Sequence, residues 1–242
     1  MNRGFLAAAA LLLATSGTAK PVKVEHDSGA LQFSYEWPSE AAAIPALDRK
    51  FRADLVKAYD EALANGRDDQ KLYRAQQREG AQDSYSMAWT SAGETSRLLS
   101  LQNELSTFTG GAHPNTSYDA LIWDRKLNRQ TSMEALFGGA LTLSAVTRET
   151  YCKALDEERM KRREGEKLDL PEFNACPKYS DLAIAPVDTN KNGRFDAIDF
   201  VASPYVVGPY VEGEYAITVP VTPRLIAALK PEFRSSFEAQ RQ

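Results

Sequence analysis

The sequence predicts an α+β fold in which a mostly antiparallel sheet is packed with helices. Several short segments alternate apolar and polar residues, which is the period-two pattern of half-buried strands. Other segments repeat apolar residues at spacings of three and four, which is typical of amphipathic helices. Strands come in runs, with helices between and after them, and this order favours an α+β arrangement.

Residues 1–19 are predicted to form a cleavable secretory signal. Arg3 gives a positive start, residues 5–14 are apolar, and small residues lead to Ala19 at the expected cleavage site. The apolar run is too short for a bilayer core about 30 Å thick, which needs roughly 20 residues. Residues 20–242 are then expected to form a single α+β module, periplasmic or secreted, without a membrane span.

The pattern of apolar residues in the N-terminal half predicts a strand, a helix and a second group of strands. Residues 31–35 alternate as a first strand. Ser39 is expected to cap a helix that ends at Gly66. The polar residues 67–80 either extend this helix or form a solvated connection. The period-two pattern returns over residues 84–124 and predicts further strands.

The C-terminal half is expected to contain a short capped helical turn, a long charged helix, three strands and a final helix with Pro223 in its first position. The first five of these elements are predicted at residues 131–137, 141–163, 182–187, 194–202 and 215–221.

Cys152 and Cys176 are predicted to form a disulfide, because two cysteines in an exported chain most simply pair with each other. The loop between them is highly charged and hard to bury. Closing a loop of about 25 residues would stabilise the chain by about 3.5 kcal/mol in the chain-entropy model. A zinc site is not expected from two cysteines and two scattered histidines, and no cofactor other than calcium is considered.

Composition and motifs argue against several classes of function. A formal net charge of −4 without a basic stripe does not suit nucleic-acid binding. Neither a Gly-x-Ser-x-Gly nor a His-Glu-x-x-His motif occurs. His26 follows the predicted cleavage site and is expected in a mobile terminus. A secreted hydrolase using His113 and a nearby carboxylate is kept as an alternative function, but no catalytic residue is assigned.

Residues 188–199 resemble the calcium-binding loop of an EF-hand, reading D-x-N-x-N-G-x-F-D-x-x-D. The oxygen ligands would be Asp188, Asn190, Asn192, the carbonyl of Arg194, and Asp199. A β-hairpin with its bend at Gly193 is the favoured interpretation, because the flanks read as strands and Asp199 is shorter than the usual glutamate. A calcium-stabilised structural protein is the third functional alternative.

Two motifs carry a family resemblance. Residues 108–115 read F-T-G-G-A-H-P-N, and residues 204–213 read P-Y-V-V-G-P-Y-V-E-G. In this order, over residues 30–235, they resemble the DUF3298 domain, which often follows a DUF4163 segment in bacterial envelope proteins. Relatives include the ectodomain of a lysozyme-binding anti-sigma factor and an accessory domain of peptidoglycan deacetylases.

The resemblance implies a non-enzymatic module that binds an envelope protein or a peptidoglycan fragment. Val206 stands where relatives commonly carry an acidic residue, and without a membrane helix an anti-sigma role does not carry over. Tyrosines on a rigid loop suit recognition, although they are also ordinary core residues. The binding residues are predicted to be Gly110, Gly111, His113, Tyr205, Gly208 and Tyr210.

Overall fold

The computed structural model describes residues 19–77 and 80–240. The predicted secretory signal lies outside these residues, apart from Ala19. Over the described ranges the chain forms nine strands in two sheets, together with five α-helices and short 3-10 turns. The predicted α+β class is confirmed.

The larger sheet has six strands in the order of the chain. Every neighbouring pair is antiparallel except β2 and β3, which are parallel. The two helices between β2 and β3 carry the chain back to the end of the sheet at which β2 begins, so that β3 runs in the same direction. The strands are β1 (Val22–Asp27), β2 (Leu31–Trp37), β3 (Asp83–Glu94), β4 (Leu98–Phe108), β5 (Asn115–Asp124) and β6 (Arg129–Thr131).

The first two helices differ from the prediction at both ends. A short α1 (Ser39–Ala42) precedes α2 (Pro45–Ala75), because Pro45 keeps the preceding residue extended and opens a new helix. The Ser39 hydroxyl donates to Glu40 and makes no capping hydrogen bond. Gly66 does not end the helix: it is buried within α2, where a Cβ would lie 2.6 Å from the Ala30 carbonyl oxygen.

The expectation that His26 lies in a mobile terminus was wrong. His26 lies in β1, opposite Phe33 of β2. Its ring also approaches Tyr59 of α2, with the ring centroids 4.6 Å apart. This strand was missed because only two of its six residues, Val22 and Val24, are apolar.

The smaller sheet is antiparallel and packs one apolar face against the C-terminal helices. Its core includes Phe200, packed against Tyr151 of the long helix. Ser132 and Thr222 cap the third and fifth helices by accepting backbone hydrogen bonds. The elements are β7 (Ala183–Val187), β8 (Ala197–Ala202), β9 (Tyr215–Pro220), α3 (Met133–Phe137), α4 (Ala140–Arg162) and α5 (Pro223–Ala228).

The predicted disulfide is present: Cys152 of α4 is bonded to Cys176, with 5.6 Å between their Cα atoms. It joins the long helix to an irregular segment that precedes β7. None of the helices within residues 19–77 and 80–240 has both the length and the apolar character needed to cross a bilayer.

Candidate functional site

The two sequence motifs meet in space. The first forms the loop of the β4–β5 hairpin, and the second forms the connection between β8 and β9. The hydroxyl of Ser203 accepts a hydrogen bond of 3.0 Å from the backbone N–H of Tyr118, which fastens the second loop to β5. Residues about ninety positions apart in sequence therefore form one surface.

Three aromatic side chains from these loops form what we call the aromatic platform: His113, Tyr205 and Tyr210. The imidazole of His113 stacks on Tyr210 with 3.6 Å between ring centroids and 14° between ring planes. The Tyr205 hydroxyl lies 3.5 Å from Nε2 of His113. The ring centroids of the two tyrosines are 5.8 Å apart.

The platform presents apolar surface to solvent. Tyr205 is 54% exposed, and the neighbouring Val211 is 89% exposed. Tyr210 is half-buried and His113 is exposed. Large exposed apolar side chains grouped on a fixed loop are a feature of recognition surfaces, since their contact area is already ordered before binding.

The second loop is held in one conformation by its own contacts. Tyr205 has a φ of +71°, a left-handed conformation that costs a non-glycine residue about 1–3 kcal/mol. Its backbone N–H donates to the Gly208 carbonyl at 3.0 Å. Gly208 is buried, and a Cβ there would collide with the carboxylate of Glu212. Glycine is therefore required at this position by a close approach.

Two arginines hold this loop in place, Arg159 in α4 and Arg163 directly after its last residue, and we call this pair the arginine clamp. Nε and Nη2 of Arg163 donate to the two carboxylate oxygens of Glu212, each at 2.9 Å. Arg159 and Arg163 both donate to the carbonyl oxygen of Val207, at 3.2 Å. Bidentate pairing of this kind fixes orientation as well as distance.

The clamp also holds the segment closed by the disulfide. Arg159 donates to the carbonyl oxygens of Asn174 and Ala175, at 3.3 and 2.9 Å. Cys176 follows directly. Arg163 also donates to the side-chain oxygen of Asn174 at 3.1 Å, so both arginines contact the disulfide segment as well as the loop that carries two platform residues.

The pKa values of Glu212 and of Tyr215, whose hydroxyl donates to Glu212, are both shifted. Burial acts to raise the pKa of Glu212, but hydrogen bonds from Arg163 and Tyr215 outweigh it, so the pKa lies below its usual value. Burial, followed by the hydrogen bond that its hydroxyl makes with Glu212, raises the pKa of Tyr215 to about 12. Glu212 therefore stays ionised and Tyr215 stays a neutral donor.

The glycines of the first motif serve the loop that carries His113. Gly110 has a φ of +91°, and a Cβ there would lie 2.5 Å from the hydroxyl oxygen of Tyr73, in the last turns of α2. Gly111, with a φ of +108°, faces open space. Both positions need glycine for their backbone conformation, and Gly110 also lets the loop rest on α2.

The surroundings of His113 bear on the hydrolase alternative. Its Nδ1 lies 2.8 Å from the carbonyl oxygen of Pro114, and its Nε2 faces the Tyr205 hydroxyl. Both ring nitrogens thus meet neutral oxygens rather than a carboxylate. Within residues 19–77 and 80–240, no cluster of three or more His, Cys, Asp or Glu side chains is arranged to hold a metal ion.

Residues 188–196 connect β7 to β8 in an antiparallel hairpin, as the favoured interpretation predicts, and residues 197–199 already belong to β8. Asp188 accepts hydrogen bonds from the backbone N–H groups of Asn192 and Gly193. The side-chain oxygens of Asn190 and Asn192 also accept backbone N–H groups, the latter from Arg194. These oxygens gather at one loop.

Asp199, the last residue of the proposed calcium set, lies elsewhere. It is in β8, where its carboxylate accepts from the hydroxyl of Thr218 at 2.6 Å and from the side chain of Gln102 at 3.3 Å. Asp196 is closer to the loop and accepts from the backbone N–H and the hydroxyl of Thr189. Calcium binding by the loop remains a prediction.

Sequence reasoning missed the arginine clamp because the charged end of α4 was taken as hard to bury. Arg159 is only 3% exposed. A signal was available, since the buried positions of α4 recur every four residues and both arginines continue the same row. That row runs Leu143, Thr147, Tyr151, Leu155 and Arg159.

Comparison with known proteins shows which proteins this chain resembles. A family model described as deacetylase PdaC matches residues 24–116, which span β1 to the start of β5. Solved structures of the DUF3298 family share the overall α+β fold. The resemblance predicted from the two motifs is confirmed.

Two such structures illustrate the likeness. A DUF3298 family member from Bacteroides fragilis has a TM-score of 0.57 and 14% identity, covering 91% of this chain and 98% of its own. A DUF3298 family protein from Pseudomonas aeruginosa has a TM-score of 0.52 and 15% identity, covering 91% and 96%. No curated protein sequence matches this chain.

Proposed function

We propose that this protein is a non-enzymatic module of the cell envelope that binds an envelope protein or a peptidoglycan-derived fragment through the aromatic platform. The observation that carries the proposal is the stacking of His113 on Tyr210 beside an exposed Tyr205. These rings come from the two motifs of the DUF3298 resemblance, which itself implies an envelope module.

The physical support is preorganisation. Binding costs free energy when flexible side chains must be ordered, and a platform fixed in advance avoids part of this cost. The arginine clamp, the close packing at Gly208 and the left-handed backbone at Tyr205 all act in this direction. A loop whose strained conformation is maintained by a buried ion pair supports a role beyond packing.

The proposed location is outside the cytoplasm, after removal of residues 1–19. The disulfide between Cys152 and Cys176 supports it, because such bonds persist in oxidising compartments. N-terminal sequencing of the protein recovered from the periplasm should give a chain that starts at or near Lys20. Recovery of an intact Met1 form in the membrane fraction would contradict this.

The binding proposal is tested with residues 20–242 immobilised and exposed to envelope proteins and to purified peptidoglycan fragments. Wild-type protein should retain a specific protein or fragment, and Tyr210→Ala should weaken its binding about tenfold or more, as expected for an anchor tyrosine. Leu127→Ala is the matched control, because Leu127 is 50% exposed but lies at the β5–β6 turn. Equal binding by all three proteins would overturn the proposal.

A further inference from the structure

The disulfide segment between α4 and Cys176, residues 164–176, has little structure of its own. It forms one 3-10 turn, Pro171–Phe173, and no strand. None of residues 164–176 is buried. A segment with so few buried contacts is not kept in place by packing, so its position depends on the groups that tether it.

The tethers come from α4 and the residue that follows it. The bond between Cys152 and Cys176 is the covalent one. Arg148 donates to the carbonyl oxygens of Cys176 and Pro177, at 3.1 and 3.0 Å. Further along the helix, the arginine clamp holds Asn174. Hydrogen bonds exchange with water, whereas the disulfide does not, so the covalent bond keeps the other tethers in register.

The clamp divides its donors between this segment and residues 204–213, which we call the platform loop. Arg159 donates through Nε to the carbonyl oxygen of Val207 and through Nη2 to that of Ala175. Arg163 is shared in the same way. The Arg159 side chain is only 4% exposed, and a buried charge that loses acceptors is costly unless it moves to water. Displacement of the segment would therefore draw the clamp away from the platform loop.

We infer that the disulfide is a redox switch for the aromatic platform, which is ordered while Cys152 and Cys176 are bonded and loses its order when they are reduced. The inference rests on the proposed function, because it describes how that binding surface is regulated. In the reduced chain the disulfide segment moves into solvent and the clamp loses acceptors. The platform loop then lacks the contacts that hold Tyr205 in its left-handed conformation, and release of this strain favours the disordered state.

The switching step is thiol–disulfide exchange with a dithiol reductant. One thiolate of the reductant attacks a sulfur of the bond to form a mixed disulfide, and its second thiolate then releases the protein. The reductant gives up two electrons and leaves as a disulfide, and the two protons of its thiols end on Cys152 and Cys176. Both cysteines are only partly buried, at the edge of the core. The reverse exchange with an oxidising disulfide protein orders the platform, which ties its display to an oxidising compartment.

The test is an NMR comparison of residues 20–242 in the oxidised state and after reduction by a water-soluble phosphine. Backbone order parameters report the rigidity of the platform loop, and the ring-current shift of the His113 imidazole protons reports their stacking on Tyr210. In the oxidised protein we expect an order parameter of about 0.85 at Val207. Reduction should lower it below about 0.6 and remove the ring-current shift, while Leu101 in the larger sheet stays at about 0.85.

Replacing both cysteines by serine should give the same loss of order without any reductant. Reduction of the folded wild-type protein is the independent measurement, should the serine variant fail to fold during expression.

The route through the clamp is tested by combining Arg159→Met with Asn174→Ala. This variant removes hydrogen bonds to the disulfide segment but keeps the pair of Arg163 with Glu212. The platform loop should then have the same order in both redox states. Lys153→Met is the matched control, because the Lys153 side chain is 78% exposed on α4 and its loss should leave the redox response as in the wild type.

Unchanged order of the platform loop on reduction would overturn the inference, as would a redox response that survives removal of the clamp's links to the disulfide segment. Loss of order throughout the reduced protein would also overturn it, because the bond would then support the whole fold rather than the platform. The NMR measurements need no ligand. Their outcome is thus distinguishable from failure of the proposed function, which is read from retention of an envelope protein or peptidoglycan fragment.

Discussion

Arg163 and Glu212 form a bidentate ion pair whose side chains are only 5% and 10% exposed. Glu212 belongs to the loop that presents Tyr205 and Tyr210, whereas Arg163 directly follows the last residue of α4. The pair therefore connects the charged end of a helix to the proposed binding surface. Buried pairs are sensitive to the loss of one partner, because the other charge is left without compensation.

Arg163→Ala is expected to lower the free energy of unfolding by about 3 kcal/mol, because it leaves the Glu212 carboxylate buried and unpaired. Lys161→Ala is the control, since the Lys161 side chain is 80% exposed and its loss should change stability by less than about 0.5 kcal/mol. Urea denaturation measures both. Similar losses in the two variants would show that the clamp contributes little.

Tyr205→Gly is expected to be more stable than Tyr205→Ala by about 1 kcal/mol, because glycine adopts a φ of +71° without strain. Both variants remove the platform ring and should bind the ligand of the platform equally poorly. Thermal denaturation and the binding assay separate the two effects. An alanine variant as stable as the glycine variant would mean that the backbone is not strained there.

The disulfide should be complete in the native protein. Mass spectrometry after alkylation under non-reducing conditions should find no free thiol at Cys152 or Cys176. Replacing both by serine should cost about 3 kcal/mol, since the bond closes a loop with a sequence separation of 24. Two alkylatable cysteines in native periplasmic material would contradict the prediction.

Acid should destabilise the protein through Asp124. Its carboxylate is fully buried; burial acts to raise its pKa, but hydrogen bonds from Arg97, Leu127 and Lys126 lower it below the usual value. A carboxyl group with a depressed folded-state pKa contributes stability above its unfolded pKa of about 4 and loses it as pH falls further.

The free energy of unfolding of the wild-type protein should therefore drop below about pH 4. Asp124→Asn should be less stable at pH 7 and should show a shallower decline in acid. Denaturant titrations between pH 3 and pH 7 measure this, with exposed Asp68→Asn as the control. A decline of unchanged slope in Asp124→Asn would assign the acid sensitivity to other groups.

The hairpin loop over residues 188–199 is expected to bind calcium weakly or not at all. With a dissociation constant near 10⁻⁴ M, millimolar calcium would stabilise the fold by about 1–2 kcal/mol. Thermal melts with EDTA and with added calcium measure this shift. A large saturable rise at micromolar calcium, abolished by Asp188→Ala, would instead establish a tight calcium site.

Much of the fold was predictable because local patterns determine it. The period-two segments became strands, and helices begin where the capped turn at residues 131–137 and the final helix at Pro223 were predicted. The errors arose where tertiary packing overrides local preference. Gly66 stays helical because α2 must approach Ala30 closely, and that contact is invisible in the local sequence.

The sequence indicated which residues belong to the candidate site, but not how those residues contact one another. His113, Tyr205 and Tyr210 were identified from two motifs, yet no spacing rule places residues so distant in sequence in contact.

The separation of 92 positions between His113 and Tyr205 has a consequence for the order of assembly. A polypeptide is made from its amino terminus, so the β4–β5 hairpin is available while the second motif is still unsynthesised. A nascent fragment that ends before β8 carries the imidazole without its stacking partner. The proposed recognition surface is thus complete only in a chain whose last third has been made and folded, and interrupted products would lack it.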